Sequence, residues 1–210
     1  MYIKIIFEYY IIKTVLIVNL EFRFKLVDKE KIEQSVINII QALGDDVNRE
    51  GLKDTPKRVS KMYDELFSGI NKDPGKVLLT DFEEAYDDIV IIKDLQFFSI
   101  CEHHFLPFFG VAHVSYIPNG KVVGASKLYR SLEILARRPQ IQERLTNQFV
   151  NVLNDTINPK GVGIILEAEH LCMSLRGIRK QGSKIITSQT SGLIKNDPNY
   201  RNDFFSLTSS

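Results

Sequence analysis

The feature that most constrains the fold is a change of hydrophobic period along the chain. From Asp28 the apolar residues Ile32, Val36, Ile39, Ile40 and Leu43 recur at helical spacing, and Val59, Met62, Tyr63, Leu66 and Phe67 form a second such stripe. Asp28 can cap the first helix and Gly44 stop it, while Thr55-Pro56 has the form of an N-cap followed by proline at the first helical position, with Gly69 at the far end. Between Asp73 and Asp88 the chain turns acidic and turn-rich. Beyond it, β-branched and aromatic runs at Ile89–Ile92, Gln96–Ile100 and Phe109–Ile117 predict strands. Asn119-Gly120 before Val122-Val123 predicts a hairpin, because both turn residues tolerate positive φ.

Helical spacing returns at Ser126, through Leu128, Leu132 and Leu135, until Pro139 interrupts it. A further helix carries Ile141, Leu145, Phe149, Val152 and Leu153. Gly161–Ala168 alternates again, and Lys184–Ser188 suits a final strand. The order helices, strands, helices, strands predicts an α+β fold with antiparallel pairing, without repeats, low-complexity tracts or an interdomain linker.

With 210 residues the chain can bury a real core. Its formal net charge of +1 supplies no global field to recruit nucleic acid or a membrane surface, so any anion site must be built locally. The opening segment, residues 1–20, is unusually apolar. Glu8 and Lys13 interrupt it and no Ala-x-Ala cleavage site follows, which argues against a signal peptide or a membrane span. It reads as an accessory strand or interface segment, or as translation from an upstream start codon. Residues 1–27 are therefore taken as an apolar extension, 28–72 as a helical region and 73–210 as the main domain.

Both cysteines and three of the four histidines fall in two short windows, Cys101-Glu102-His103-His104 and His170-Leu171-Cys172. Two cysteines are too few for a secreted disulfide scaffold, and in a reducing cytosol they stay thiols. Cys101 and His104 are close enough to grip one ion from a turn, and Cys172 could supply a third ligand from a distant strand. Three protein ligands leave zinc one open position, where bound water falls in pKa from about 15.7 toward about 7. Any one of these residues alone reads better as core packing or sheet hydrogen bonding. His113, in an alternating strand with no ligand partner nearby in sequence, is read as structural.

A second cluster, Gly124-Ala-Ser126-Lys127-Leu-Tyr-Arg130, places two cations on one face of a helix's first turn. Cations there oppose the helix dipole unless a polyanion sits at that terminus, where free N–H groups can also receive phosphate. Arg58 and Lys61 repeat the spacing, and Arg176 follows Cys172 closely; a solvated face is the competing reading. Arg137 and Arg138, closing a helix, merely complement its dipole. Glu143 sits near a helix start, where a carboxylate is at home, yet a carboxylate can also accept from the N1–H and amino group of guanine and so select it over adenine.

Taken in order, Cys101-Glu-His-His104, Ser126-Lys-x-x-Arg130, Arg138-Pro-Gln-x-Gln-Glu-Arg-Leu145, His170-x-Cys172 and Arg176-Gly resemble the motif series of GTP cyclohydrolase I. The opening Asp54-Thr-Pro-x-Arg58-Val and the Thr187–Gly192 region also fit, so the similarity runs from about Asp28 to near the C-terminus. Only the apolar leader departs from the family.

The resemblance implies the tunnelling fold, an antiparallel sheet with two helices on one face preceded by a helical hairpin, assembled as a cytoplasmic homodecamer with sites between subunits. It implies Zn2+ on Cys101, His104 and Cys172, with His103 and His170 as acid-base residues. It further implies a GTP triphosphate held by Arg58, Lys61, Lys127, Arg130 and Arg176, Ser126 at the ribose, and Glu143 with Gln142 at the guanine. The expected chemistry is attack of zinc-bound water on guanine C8 while His170, as imidazolium, protonates N7. Loss of formate and reclosure of the opened ribose onto the freed amine give 7,8-dihydroneopterin triphosphate.

Two other readings compete. The nitrile reductase of queuosine synthesis resembles this family in its sheet but uses a cysteine nucleophile and a nicotinamide cofactor, and the ligand trio argues against it. A catalytically silent nucleotide- or zinc-binding scaffold would not need every catalytic position to be chemically competent, as it is here.

Overall fold

The protein is described by a computed structural model over residues 27–79, 81–84 and 86–209. The expectations for residues 1–20 therefore lie outside the described residues. The described residues divide into two compact units, parted between Glu65 and Leu66. No helix among the described residues is long and apolar enough to cross a membrane.

The first unit carries α1 (Lys29–Ala42) and most of α2 (Thr55–Leu66). Asp28 caps α1 by accepting from Lys31 N–H at 3.2 Å, and Gly44 follows the helix with φ +80°, a conformation that costs glycine little. Helix α2 begins one residue earlier than its Thr-Pro signal predicts. Thr55 lies within the helix, and its hydroxyl donates to Gly51 O at 3.4 Å instead of capping. The buried face of α2 runs through Pro56 and Ser60, and Met62, expected in the stripe, is exposed. Ser60 Oγ donates to Lys29 O at 3.1 Å and Lys29 pairs with Asp64 at 2.6 Å, so both helices share polar contacts within this unit.

The second unit is built on a five-stranded sheet. Its strands are β2 (Val90–Cys101), β3 (Pro107–Ile117), β5 (Pro139–Gln140), β6 (Gly161–His170) and β7 (Lys184–Ser191), in the order β5-β2-β3-β6-β7. All neighbours are antiparallel except β5 and β2, paired through Ile100 with Pro139 and Cys101 with Gln140. The two strands predicted at Ile89–Ile92 and Gln96–Ile100 are one strand with a register shift between Ile92 and Leu95. Asp94 in the bulge has φ 56°, and its N–H is accepted by His113 Nδ1 at 3.3 Å on β3. His113 thus has a structural task, holding the bulge.

The hairpin expected at Asn119-Gly120 turns as predicted, with Gly120 at φ +79°, but does not return its strand to β3. Strand β4 (Lys121–Val123) pairs instead with β1 (Asp81–Glu83) in a separate two-stranded sheet. Strand β3 has no edge to offer, because β2 and β6 already occupy both sides. Tyr116 on β3 still holds β4, its buried hydroxyl accepting from Val123 N–H at 2.9 Å.

Alternation along the strands sends Phe108, Ala112, Val114 and Tyr116 of β3, and Val162, Ile164, Leu166 and Ala168 of β6, to one face. Against them pack Leu128, Leu132 and Leu135 of α3 (Ala125–Ala136) and Leu145, Phe149, Val150 and Leu153 of α4 (Gln142–Ile157). Each large apolar side chain so buried contributes about 1.5–3 kcal/mol relative to exposure. The chain ends in helices the period reading left out, α6 (Gly192–Asn196) and α7 (Pro198–Thr208), after the short α5 (Leu171–Ser174). Asp197 caps α7, accepting from Asn199 N–H at 2.8 Å, and Ile194 and Phe204 form a smaller core with Ile117.

Arg138 does more than complement a helix dipole. It donates from Nε to Gly69 O at 2.9 Å and from its terminal nitrogen to Lys72 O at 2.7 Å, fastening the segment after α2 to the end of α3. A Cβ on Gly69 would lie 2.0 Å from Ile134 O, so that approach requires glycine.

Candidate active site

The β2–β3 connection is a tight turn built around Cys101. Cys101 N–H donates to Leu106 O and Phe105 N–H to Cys101 O, both at 2.9 Å, with Phe105 at φ 53°. The turn carries Glu102, His103 and His104 outward from the sheet end while Cys101 stays buried. On the adjoining side, β6 ends at His170 and α5 carries Cys172. Pairing of Phe108 with His170 across β3 and β6 brings the two windows of the sequence together.

The ligand atoms of Cys101, His104 and Cys172 all lie within 4.8 Å of one another. Burial pushes the Cys172 thiol up, and the nearby Cys101 adds to the shift. Two sulfurs so placed resist ionising together, and a cation between them removes that penalty, so the donor set fits a metal ion. His103 lies beside the trio, its Nδ1 3.9 Å from Cys101 Sγ.

His170 is buried and stacks on Phe108, with ring centroids 4.5 Å apart and planes 5° from parallel. Its Nε2 lies 2.8 Å from Gln142 Oε1. Burial lowers the pKa of His170, and the negative charge of Glu143 opposes the shift without reversing it. The neutral ring is therefore favoured, which works against the imidazolium expected from the sequence.

Gln142 and Glu143 open α4 on opposite terms. Gln142 is buried, and its amide nitrogen shares its two hydrogens among three acceptors, Leu166 O at 3.0 Å, Ile185 O at 2.9 Å and Thr187 Oγ1 at 3.1 Å. Glu143 is exposed and near enough to His170 to act on its charge. Arg144, the next residue, forks onto both oxygens of Glu102 in the turn that carries Cys101 and His104, with one of the two contacts at 2.9 Å.

The cations expected to bind an anion are distributed over three segments. Ser126, Lys127 and Arg130 stand in the first turns of α3, with Ser126 and Arg130 exposed and Lys127 half-buried. Arg176 is exposed two residues after α5, close enough to Cys172 to draw its pKa slightly down. Arg58 and Lys61 belong to α2 in the first unit; Arg58 donates to Thr55 Oγ1 at 2.9 Å and Gly51 O at 3.2 Å.

The roles of five participants were not readable in the sequence. Phe108 lies under His170, Glu102 and Arg144 pair across 42 positions, and Thr146 meets Thr187 at 2.7 Å. Glu102, Arg144 and Thr187 fell inside segments singled out from the sequence, though without a role of their own, and Phe108 and Thr146 fell outside them.

The profile of the family described as GTP cyclohydrolase I matches residues 32–209. Among curated proteins, GTP cyclohydrolase 1 of Streptococcus thermophilus (strain CNRZ 1066) is 52% identical over 181 residues, covering 86% of this chain and 97% of its own. The enzyme of that name from Halalkalibacterium halodurans is also 52% identical, over 86% of this chain and 97% of its own. That of Bacillus subtilis (strain 168) is 53% identical over 82% and 92%, respectively. Among solved structures, an archaeosine synthase QueF-Like in the apo form aligns with a TM-score of 0.39 at 19% identity, over 50% of this chain and 93% of its own. The chain belongs to the GTP cyclohydrolase I family.

Proposed function

We propose that this protein is a GTP cyclohydrolase I, converting GTP to 7,8-dihydroneopterin triphosphate and formate at the head of pterin and folate synthesis. The observation that carries the reading is the convergence of Cys101, His104 and Cys172 within 4.8 Å beside His170, in a chain of that family. Two sulfurs and an imidazole suit zinc, which when bound with an open position acidifies a coordinated water enough to serve as nucleophile toward guanine C8 near neutral pH.

The chain's own residues recognise the substrate and manage its protons. Glu143, exposed at the start of α4, accepts from the N1–H and amino group of guanine, a pairing adenine cannot make. Lys127, Arg130 and Arg176, with Arg58 and Lys61 of the same or a neighbouring subunit, hold the triphosphate, and Ser126 meets the ribose. His170 rests neutral; to serve as acid at N7 it must first gain a proton, which the negative charge of the bound triphosphate favours. His103, beside Cys101, is the second acid-base residue.

In this reading residues 73–210 form a catalytic domain of the tunnelling type, residues 28–72 form a helical hairpin, and the cytoplasmic enzyme works as a ring of ten subunits. The reductase alternative needs a free cysteine nucleophile, whereas both cysteines of this chain lie in the trio whose donors suit a metal. The test is incubation of the zinc-loaded protein with GTP, with and without prior chelation, assaying formate and the fluorescent pterin formed on oxidation. Equimolar products that vanish on chelation are expected; absence of both from a zinc-loaded oligomer would sink the reading.

A further inference from the structure

The hydrogen bonds around Gln142 leave little choice about where each proton sits. Thr146 Oγ1 donates to Gln142 O at 2.7 Å, which uses its only hydrogen. At the 2.7 Å contact between Thr146 and Thr187 the donor must then be Thr187. Thr187 Oγ1 in turn is left with lone pairs for Gln142 Nε2. That nitrogen also faces the carbonyls of Leu166 on β6 and Ile185 on β7, acceptors that only the NH2 group of the carboxamide can satisfy. Turning the amide over would set its oxygen against both carbonyl oxygens at about 3 Å in a buried site and leave those carbonyls without their donor. Gln142 Oε1 is thereby fixed toward His170, and an oxygen there can only accept.

We infer that Gln142 is a positioning residue for His170 and not a ligand of the base: two backbone carbonyls and the Thr187–Thr146 pair fix its carboxamide, which holds the His170 proton on Nε2. Nδ1 is then the basic atom of the neutral ring. This inference rests on the proposed reaction only for its catalytic consequence, since the tautomer is a property of the resting protein. The amide of Gln142 has its two hydrogens committed and its oxygen engaged by His170, so of these two residues recognition of guanine falls to Glu143. The ring is further restrained by its stack on Phe108, so the hydrogen bond and the stack together set both tautomer and plane. A histidine with its protons on the wrong atoms loses its acid-base function even when its position is kept.

The zinc-loaded enzyme, labelled with 15N in its histidines and sedimented for solid-state NMR above the ordinary imidazole range, reports the tautomer directly. The resonance pair lost in His170→Gln identifies the ring. Expected is a protonated Nε2 with an unprotonated Nδ1; a ring protonated on Nδ1 in the wild-type protein overturns the inference whether or not the variants fold and whatever the enzyme does with GTP. In kinetics, Gln142→Met should lower kcat by about 10-fold or more with KM for GTP nearly unchanged, and mixed tautomers should appear at His170. Thr187→Val, which keeps shape and deletes the hydroxyl, should lower kcat more mildly, with Thr187→Ser restoring it. A raised KM with kcat preserved in Gln142→Met would return the residue to base binding. If the wild-type protein released no formate from GTP, the proposed function would fail while the tautomer measurement still stood.

Discussion

Arg144 forks onto both carboxylate oxygens of Glu102, joining the helix that begins with Gln142 and Glu143 to the turn that carries Cys101, His103 and His104. The guanidinium holds the Glu102 carboxyl below the usual carboxylate range. Exposed ion pairs add little to stability, so the value of this one lies in orientation. It fixes the turn of Cys101, His103 and His104 relative to the helix that begins with Gln142 and Glu143, assisted by Glu102 N–H donating to Gln140 O at 3.0 Å.

Arg144→Met should therefore weaken zinc retention by about 10-fold, the lower end for residues supporting metal ligands, with the melting temperature little changed. Competition against a chromophoric chelator measures it. Unaltered zinc affinity would reduce the pair to an ordinary surface contact.

The metal-free protein should lose stability as pH rises through the thiol range. Burial and the neighbouring Cys101 raise the Cys172 pKa in the fold, so the fold disfavours its thiolate. A raised pKa gives stability that is complete below the unfolded-state value of about 8.5 and is lost as pH climbs through the folded value. Zinc binding has the opposite slope, because it requires thiolates and releases protons. Urea midpoints of chelated protein should fall between neutral and alkaline pH, while apparent zinc affinity rises over the same interval; parallel slopes would exclude Cys172 as a ligand.

Gly110 lies where β3 passes β6 at its tightest. A Cβ there would stand 1.9 Å from Glu167 O and 2.7 Å from Ala168 Cα, both backbone atoms that cannot swing aside. Gly110→Ala should cost about 1–3 kcal/mol or more and lower the melting temperature by several degrees, by spreading strands that also place His170 and Phe108. A melting curve that superimposes on the wild type would show that the sheet can part without penalty.

What the sequence disclosed follows the range of the physics involved. Helical stripes, caps and strand runs are local, and α1, α3, α4, β3, β6 and β7 fall close to where periodicity places them. The merged β2 was hidden because Asp94, a non-glycine residue at positive φ, makes a bulge that reads as a break. The strand after Asn119-Gly120 was misassigned because the occupancy of both β3 edges is a property of the whole sheet. Helix α7 was legible, since Asp197-Pro198 is a capped start, yet it went unread. The Cys101, His104 and Cys172 trio was legible from residue type together with clustering in two short windows, since few other chemistries gather thiols and imidazoles. The partners of those residues are ordinary Glu, Arg, Thr and Phe, whose significance lies in contacts made 41 or 42 positions apart, such as Thr146 with Thr187 and Glu102 with Arg144.

His170 should make the fold sensitive to acid. Burial depresses its pKa, and the charge of Glu143 only partly offsets this. A depressed value gives stability that is complete above the unfolded-state pKa of about 6.5 and is lost as pH falls through the folded value, because the unfolded chain binds the proton more readily. His170→Phe keeps an aromatic ring against Phe108 but cannot take up a proton, and it leaves Gln142 Oε1 without its partner. The variant should be less stable than the wild type at about pH 7.5 yet lose less on acidification to about pH 5.5, narrowing the gap. Urea midpoints of both proteins at the two pH values measure this. Release of metal in acid is common to both, so the difference between them isolates the imidazole, and equal losses would mean that His170 accepts its proton in the fold without penalty.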